Sequence, residues 1–156
     1  MRSIRITRMS RVNRVPKIFF AGIFIMMIIP LTSCSQKYSF LTSSIVPGAK
    51  GYARVKKDKN KNYLIRVKIN DLAKVERVNS LKTTYVVWME TDEGNIENLG
   101  QLKSSTSFLS KRHNASLETA SSFKPVKIYI TTEDGINVQF PGEQRVLTTS
   151  EFKKNR

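Results

Sequence analysis

From residue 50 onward the signal is β almost throughout, set first by two runs in which apolar and polar side chains alternate with a period of two. Tyr63, Ile65, Val67 and Ile69 interleave with Leu64, Arg66 and Lys68, giving one apolar face and one mostly charged face. Upstream, Gly51, Ala53 and Val55 interleave with Tyr52, Arg54 and Lys56, and the polar turn sequence Asp58-Lys59-Asn60-Lys61-Asn62 joins the two runs. An antiparallel hairpin is expected. A turn centred on Asn60 sets Val55 opposite Ile65 and Ala53 opposite Val67 on the core face. It sets Arg54 opposite Arg66 on the other face, with Lys56 and Lys68 nearby. Thr84 to Met89 is apolar without a break, as expected of a central strand covered on both sides.

Further strands are expected around Ile96–Leu102, Ala115–Thr119, Val126–Thr131 and Gln144–Thr148, with turn signals at Asp92-Glu93-Gly94-Asn95, Glu133-Asp134-Gly135 and Phe140-Pro141-Gly142. About seven short strands in roughly 100 residues favour an immunoglobulin-like β-sandwich over a barrel. Leu72, Val75, Val78 and Leu81 fall at threes and allow one short turn of helix. Trp88, the only tryptophan, is expected as a core ring packed between the sheets, the alternative being a platform for stacking a ligand.

The 34 residues at the start have a different character. Six basic residues, from Arg2 to Lys17, precede an apolar run from Ile18 to Leu31, and no Asp or Glu occurs before Asp58. This is the charge pattern of a signal peptide, and a chain begun at Met9 would keep it. The run of 14 residues is shorter than the roughly 20 that a spanning helix needs. A basic amphipathic helix lying on a membrane is the rival reading of residues 1–17, against which Ile4, Ile6, Met9, Val12 and Val15 make no wide apolar face. The run closes on Leu31-Thr32-Ser33-Cys34, which holds the only cysteine and resembles the lipobox of bacterial lipoproteins. That resemblance implies cleavage before Cys34, a diacylglycerol on its thiol and an acylated new amino terminus, an anchor that is close to irreversible. Ser35 in place of an aspartate then favours the outer membrane, with the domain facing the periplasm.

The expected organisation is a signal peptide over residues 1–33, the lipidated cysteine and a tether over 34–49, and the sandwich over 50–150. With its single thiol used for lipid, the domain has no intramolecular disulfide and depends on apolar burial.

No catalytic or metal site is expected. His113 lies in the polar stretch Lys111-Arg112-His113-Asn114 with no second histidine in the chain, and the serines fall in no nucleophile-elbow pattern. The two acidic turns, at Asp92-Glu93 and Glu133-Asp134, offer oxygens for Ca²⁺ but follow no calcium-loop spacing. Charge is the one functional hint. Residues 50–82 hold 11 Lys and Arg against 3 Asp and Glu, and Arg54, Lys56, Arg66 and Lys68 are the candidate anion-binding residues. The competing explanation is that exposed lysines keep strand edges from aggregating.

Tyr85-Val86-Val87-Trp88-Met89 followed by Leu99-Gly100 is similar to the Tyr-x-x-Trp and Leu-Gly pattern in the extracytoplasmic domain of anti-sigma-K factors. The similarity continues through Ile128-Tyr129-Ile130-Thr131-Thr132-Glu133, Gly135, Pro141-Gly142 and Val146-Leu147. It implies an immunoglobulin-like sandwich beyond the inner membrane. The cytoplasmic sigma-binding domain and the transmembrane helix of the regulatory members have no counterpart in this pattern.

Together these features predict a lipid-anchored binding or scaffolding module of the bacterial envelope without enzymatic activity or cofactor. Its expected partners are the membrane and an envelope protein or an anionic lipid or glycolipid, and nucleic acid is excluded by location. The alternative is an accessory of envelope signalling related to anti-sigma regulation. Replacing the acceptor thiol, Cys34→Ser, is expected to leave the precursor unlipidated and uncut. Metabolic labelling with a fatty-acid analogue checks this, and label retained by the variant refutes the lipobox.

Overall fold

The computed structural model describes residues 35–106 and 113–152; the leader and Cys34 lie outside the described residues. Nine strands and one turn of helix are described: β1 Ser35–Ser39, β2 Lys50–Lys57, β3 Tyr63–Asn70, α1 Val75–Val78, β4 Thr84–Thr91, β5 Ile96–Gln101, β6 Lys103–Thr106, β7 His113–Ser121, β8 Pro125–Glu133 and β9 Arg145–Thr148. They form two antiparallel sheets, one in the order β1-β2-β3-β7-β6 and the other in the order β5-β4-β8-β9. Strands β2-β3-β7-β6 and β4-β8-β9 reproduce the two sheets of a constant-type immunoglobulin domain, and β1 and β5 each add an edge strand. All seven expected strands are present. The chain changes sheets between β5 and β6 at Leu102, which is buried and whose N–H donates to the Tyr85 carbonyl at 2.9 Å.

The core follows from the period of two. Ala53, Val55, Ile65, Val67 and Ile69 point inward from the first sheet to meet Val87, Met89, Ile128 and Ile130 from the second. Because β4 alternates, inward Tyr85, Val87 and Met89 force Val86 and Trp88 onto the opposite side of their sheet. There they form a second small core with Tyr129. Trp88 is therefore buried, at 0% exposure, but not between the sheets as the sequence suggested. It is covered by the β8–β9 connection, from which Val138 packs against the cluster.

A buried polar chain ties that connection down. Trp88 Nε1 donates to Thr131 Oγ1 at 2.8 Å, the Thr131 hydroxyl donates to the Glu133 carboxylate, and the Gly142 N–H donates to Glu133 Oε1 at 2.7 Å. A Cβ on residue 142 would lie 3.2 Å from the same carboxylate, so this position favours glycine on space alone. Asn98 Nδ2 on β5 holds the other end of the connection, donating to the carbonyls of Ile136 and Val138 at 3.0 and 2.9 Å.

The expected tether over residues 34–49 is corrected by the structure. Ser35 to Ser39 pair in full register with Lys56 to Tyr52, and the Phe40 and Leu41 N–H groups donate to the carbonyls of Gly51 and Thr148 at 3.0 and 2.8 Å. Tyr38 turns inward and stacks on Phe152 with ring centroids 3.6 Å apart. Ser43 Oγ then caps the following turn by accepting from the N–H groups of Ile45 and Val46, both at 3.1 Å, and Val46 and Ala49 are buried. The alternation was present but weak, because Gln36 occupies one inward-side position and only Tyr38 and Phe40 supply apolar bulk.

Trp88→Ala removes a fully buried ring and the donor to Thr131, and is expected to destabilise the fold by about 3–5 kcal/mol. Denaturant unfolding checks this. A loss below about 1 kcal/mol would contradict the buried placement.

Candidate functional site

The β2–β3 hairpin positions the charged residues singled out in the sequence. Asp58 Oδ1 accepts from the N–H groups of Asn60 and Asn62, each at 2.8 Å, and Lys61 takes a left-handed φ of 68° to close the turn. The resulting register sets Val55 opposite Ile65, Ala53 opposite Val67 and Arg54 opposite Arg66, as the alternation and turn predict. Arg54, Lys56, Arg66 and Lys68 consequently share the outer face of the five-stranded sheet.

Two neighbouring strands extend this face. One row across the sheet reads Lys37, Arg54, Arg66, Glu118, and the next reads Ser39, Tyr52, Lys68, Ser116, Lys103. Lys56 and Lys50 stand at the two ends of β2 on the same side. Among the described residues, seven cations occupy the face with one carboxylate, Glu118. Lys37 was missed in the sequence because its stretch read as a tether, and Lys103 because β6 carries no apolar alternation. The position of Glu118 depends on the β3–β7 pairing, which no local signal announces.

Glu118 alters the electrostatics of the Arg54 and Arg66 pair. Arg66 Nε and Nη2 donate to its two oxygens at 2.9 and 2.6 Å, a bidentate geometry that Lys would not reproduce. The hydrogen bond from Arg66, reinforced by its charge and that of Lys68, holds the Glu118 carboxyl below the usual carboxylate range, and Glu118 raises the Arg66 guanidinium in return. Like charges in direct register are thus relieved by an acid on the next strand. Arg54 has a different neighbour: Tyr52, whose ring centroid lies 5.5 Å from the Arg54 guanidinium and 4.4 Å from Lys37 Nζ. Tyr52 is half-buried, so its ring supports cations that remain open to solvent.

Edge protection does not account for the charge on β2 and β3. The edges of the sheet are β1 and β6, whereas Arg54, Lys56, Arg66 and Lys68 stand on β2 and β3, whose backbones are already paired on both sides. Cations there leave the edges as they were.

The other candidates do not assemble. Thr84 pairs with Glu133 and Thr91 with Pro125, so the Glu133-Asp134 and Asp92-Glu93 turns sit at opposite ends of β4, roughly 23 Å apart for seven residues of strand. They share no cation. Glu133 is also not a solvated turn residue but a buried one, 3% exposed. His113 begins β7 at the rim of a cavity of about 290 Å³ shared with Leu72, Tyr85, Leu102 and Asn114. There the Tyr85 hydroxyl donates to the Ala73 carbonyl at 3.0 Å, and burial, aided by Glu76, pushes it up to about 12. Trp88, fully enclosed, presents no ring face to a ligand. Among the described residues no group of three or more His, Cys, Asp or Glu is placed to hold a metal, and no helix is long and apolar enough to cross a membrane.

Comparison of the chain with protein-family models, with curated proteins and with solved structures finds no match.

The Arg66–Glu118 pair yields a pH test. Because the folded Glu118 carboxyl is held low, its contribution is fully present above the ordinary carboxylate range and is lost as pH falls through the lowered value. An NMR titration is expected to place Glu118 below the usual glutamate midpoint, and Arg66→Gln is expected to move it upward. An unchanged midpoint in the variant would refute the pairing.

Proposed function

We propose that this protein is a lipid-anchored, non-catalytic module of the bacterial cell envelope that binds anionic surfaces through the outer face of its five-stranded sheet. The observation that carries the reading is the charge of that face: among the described residues seven cations stand against one acid, five of them on interior strands where strand-edge protection has no use for them. Anionic headgroups or glycolipids fit such a two-dimensional array better than a small solute does, because its cations are spread over several strands of one sheet face. The lipobox supplies the location.

The residues similar to the anti-sigma-K domain act structurally in this chain. Trp88 fills the outer core, Gly100 takes a φ of +114° where the β4–β5 register shifts, and Gly142 donates to Glu133. These positions support a common sandwich architecture and leave sigma-factor signalling without a residue to carry it.

The fragment 35–156 retains every described strand and is the material for the test. It is expected to bind anionic vesicles in a salt-sensitive manner. Replacing Arg54 and Lys68 together by Gln is expected to weaken binding roughly tenfold or more and to flatten the salt dependence. Glu118→Gln, which unmasks Arg66, is expected to act in the opposite direction. Equal binding by all three proteins across a salt series would refute the basic face as the binding site.

A further inference from the structure

Lipid attachment at Cys34 and strand β1 place narrow limits on what the basic face can reach. Fifteen free residues between the lipid and the first strand would span up to roughly 50 Å, enough for the domain to turn in any direction. No such leash exists. β1 begins at Ser35, the residue after Cys34, and Ser35 is already in register with Lys56. Its outward positions, Ser35, Lys37 and Ser39, belong to the same face as Arg54 and Lys68.

Two residues along a strand advance about 7 Å and one strand across the sheet about 5 Å. Lys37 therefore stands about 7 Å from the start of β1, with Arg54 one strand and Arg66 two strands further across. These separations are comparable to the screening length of about 8 Å at physiological salt, within which a charged bilayer surface acts on a cation. A lipid embedded in the bilayer at one corner of the sheet thus brings the nearest rows of cations into the headgroup field. Tyr52 lies among them, a residue type that favours the boundary between headgroups and water.

We infer that the basic face rests flat on the anionic headgroups of the same membrane that holds Cys34, so that the lipid and the sheet form a two-point attachment which orients the domain. This inference rests on the lipid-anchored reading above and adds to it a single partner, the domain's own bilayer. The four-stranded sheet, with its covering β8–β9 connection, then faces away from the membrane. An anionic polymer or protein reached across the envelope requires the opposite orientation.

Because a lipidated Cys34 has no free thiol, one introduced cysteine can be labelled selectively in the full chain. Asn70→Cys and Ser116→Cys report on the far end and the middle of the basic face, and Gln139→Cys reports on the β8–β9 connection; all three positions are exposed. Each chain, matured in a bacterial host that processes lipoproteins, is labelled with bimane and reconstituted into phosphatidylcholine vesicles. The vesicles contain spin-labelled headgroups and are prepared with and without phosphatidylglycerol.

With phosphatidylglycerol present, quenching at 70 and 116 is expected to exceed that at 139 several-fold, and high salt or removal of the anionic lipid is expected to erase the difference. Equal quenching at the three positions, or quenching at 70 and 116 indifferent to salt, in protein that floats with the vesicles would overturn the orientation alone. Protein that does not float with the vesicles, and whose Cys34 takes up the thiol label, would overturn the lipid anchor and the orientation with it. Retention of the buried Trp88 emission in each variant confirms that the probe reports on the folded domain.

Discussion

Burial of β4 and β8 on both faces is the constraint from which the rest of this structure follows. Val87, Met89, Ile128 and Ile130 enter the space between the sheets, while Val86, Trp88 and Tyr129 project from the same two strands on the opposite side. Apolar side chains on two sides require two covers. The first cover is the five-stranded sheet. The second is the β8–β9 connection, held by the Asn98 side chain and by the chain of bonds through Thr131, Glu133 and Gly142. A carboxylate buried at Glu133 is acceptable because a hydroxyl and a backbone N–H both donate to it. With a single cysteine in the chain, no internal disulfide reinforces this arrangement, so both covers contribute to holding it together.

What was legible in the sequence was whatever is decided locally. The β2–β3 register follows from an alternation on each side of a five-residue turn, and the structure reproduces it to the residue. The unbroken apolar run of β4 announced two covered faces, but not which residues met which cover. That depends on phase, and the phase is set by Tyr85, Val87 and Met89 packing against the other sheet. β1 and β6 were illegible for a related reason. Edge strands need one paired side and little apolar content, so Ser35–Ser39 and Lys103–Thr106 carry almost no periodic signal. The candidate site divides along the same line. Its four central cations come from one hairpin and were visible in advance, whereas Lys37, Lys103 and the moderating Glu118 arrive through pairings that span up to 52 residues of chain.

The two outer faces of the sandwich have opposite characters, and that asymmetry bears on function. One is apolar and closed by a segment of the same chain; the other carries cations that are exposed or half-exposed. Its charge is not neutral in cost: Arg54 faces Arg66 directly, and one acid relieves only one of the two. A sheet selected for stability alone would intersperse acids along β2 and β3 or replace these arginines with threonines, which suit an exposed strand better. Cations stand in direct register across three strands, at Lys37, Arg54 and Arg66, before Glu118 ends the row, and a planar anionic surface is the partner proposed for them.

The conversion of residues 35–39 from a presumed tether into a strand changes what the fold does with that match. A flexible linker would separate the questions of where the protein is held and what its face touches, since a long leash lets a domain sample every orientation. Pairing β1 into the sheet joins those questions, because the segment that leads to Cys34 is itself an element of the charged face. The register of five residues, Ser35 with Lys56 through Ser39 with Tyr52, therefore determines more than the edge of a sheet. With Cys34 lipidated as proposed, it would fix the angle between the line of attachment and the face that carries the cations, and so decide which side of the domain is turned away from the membrane.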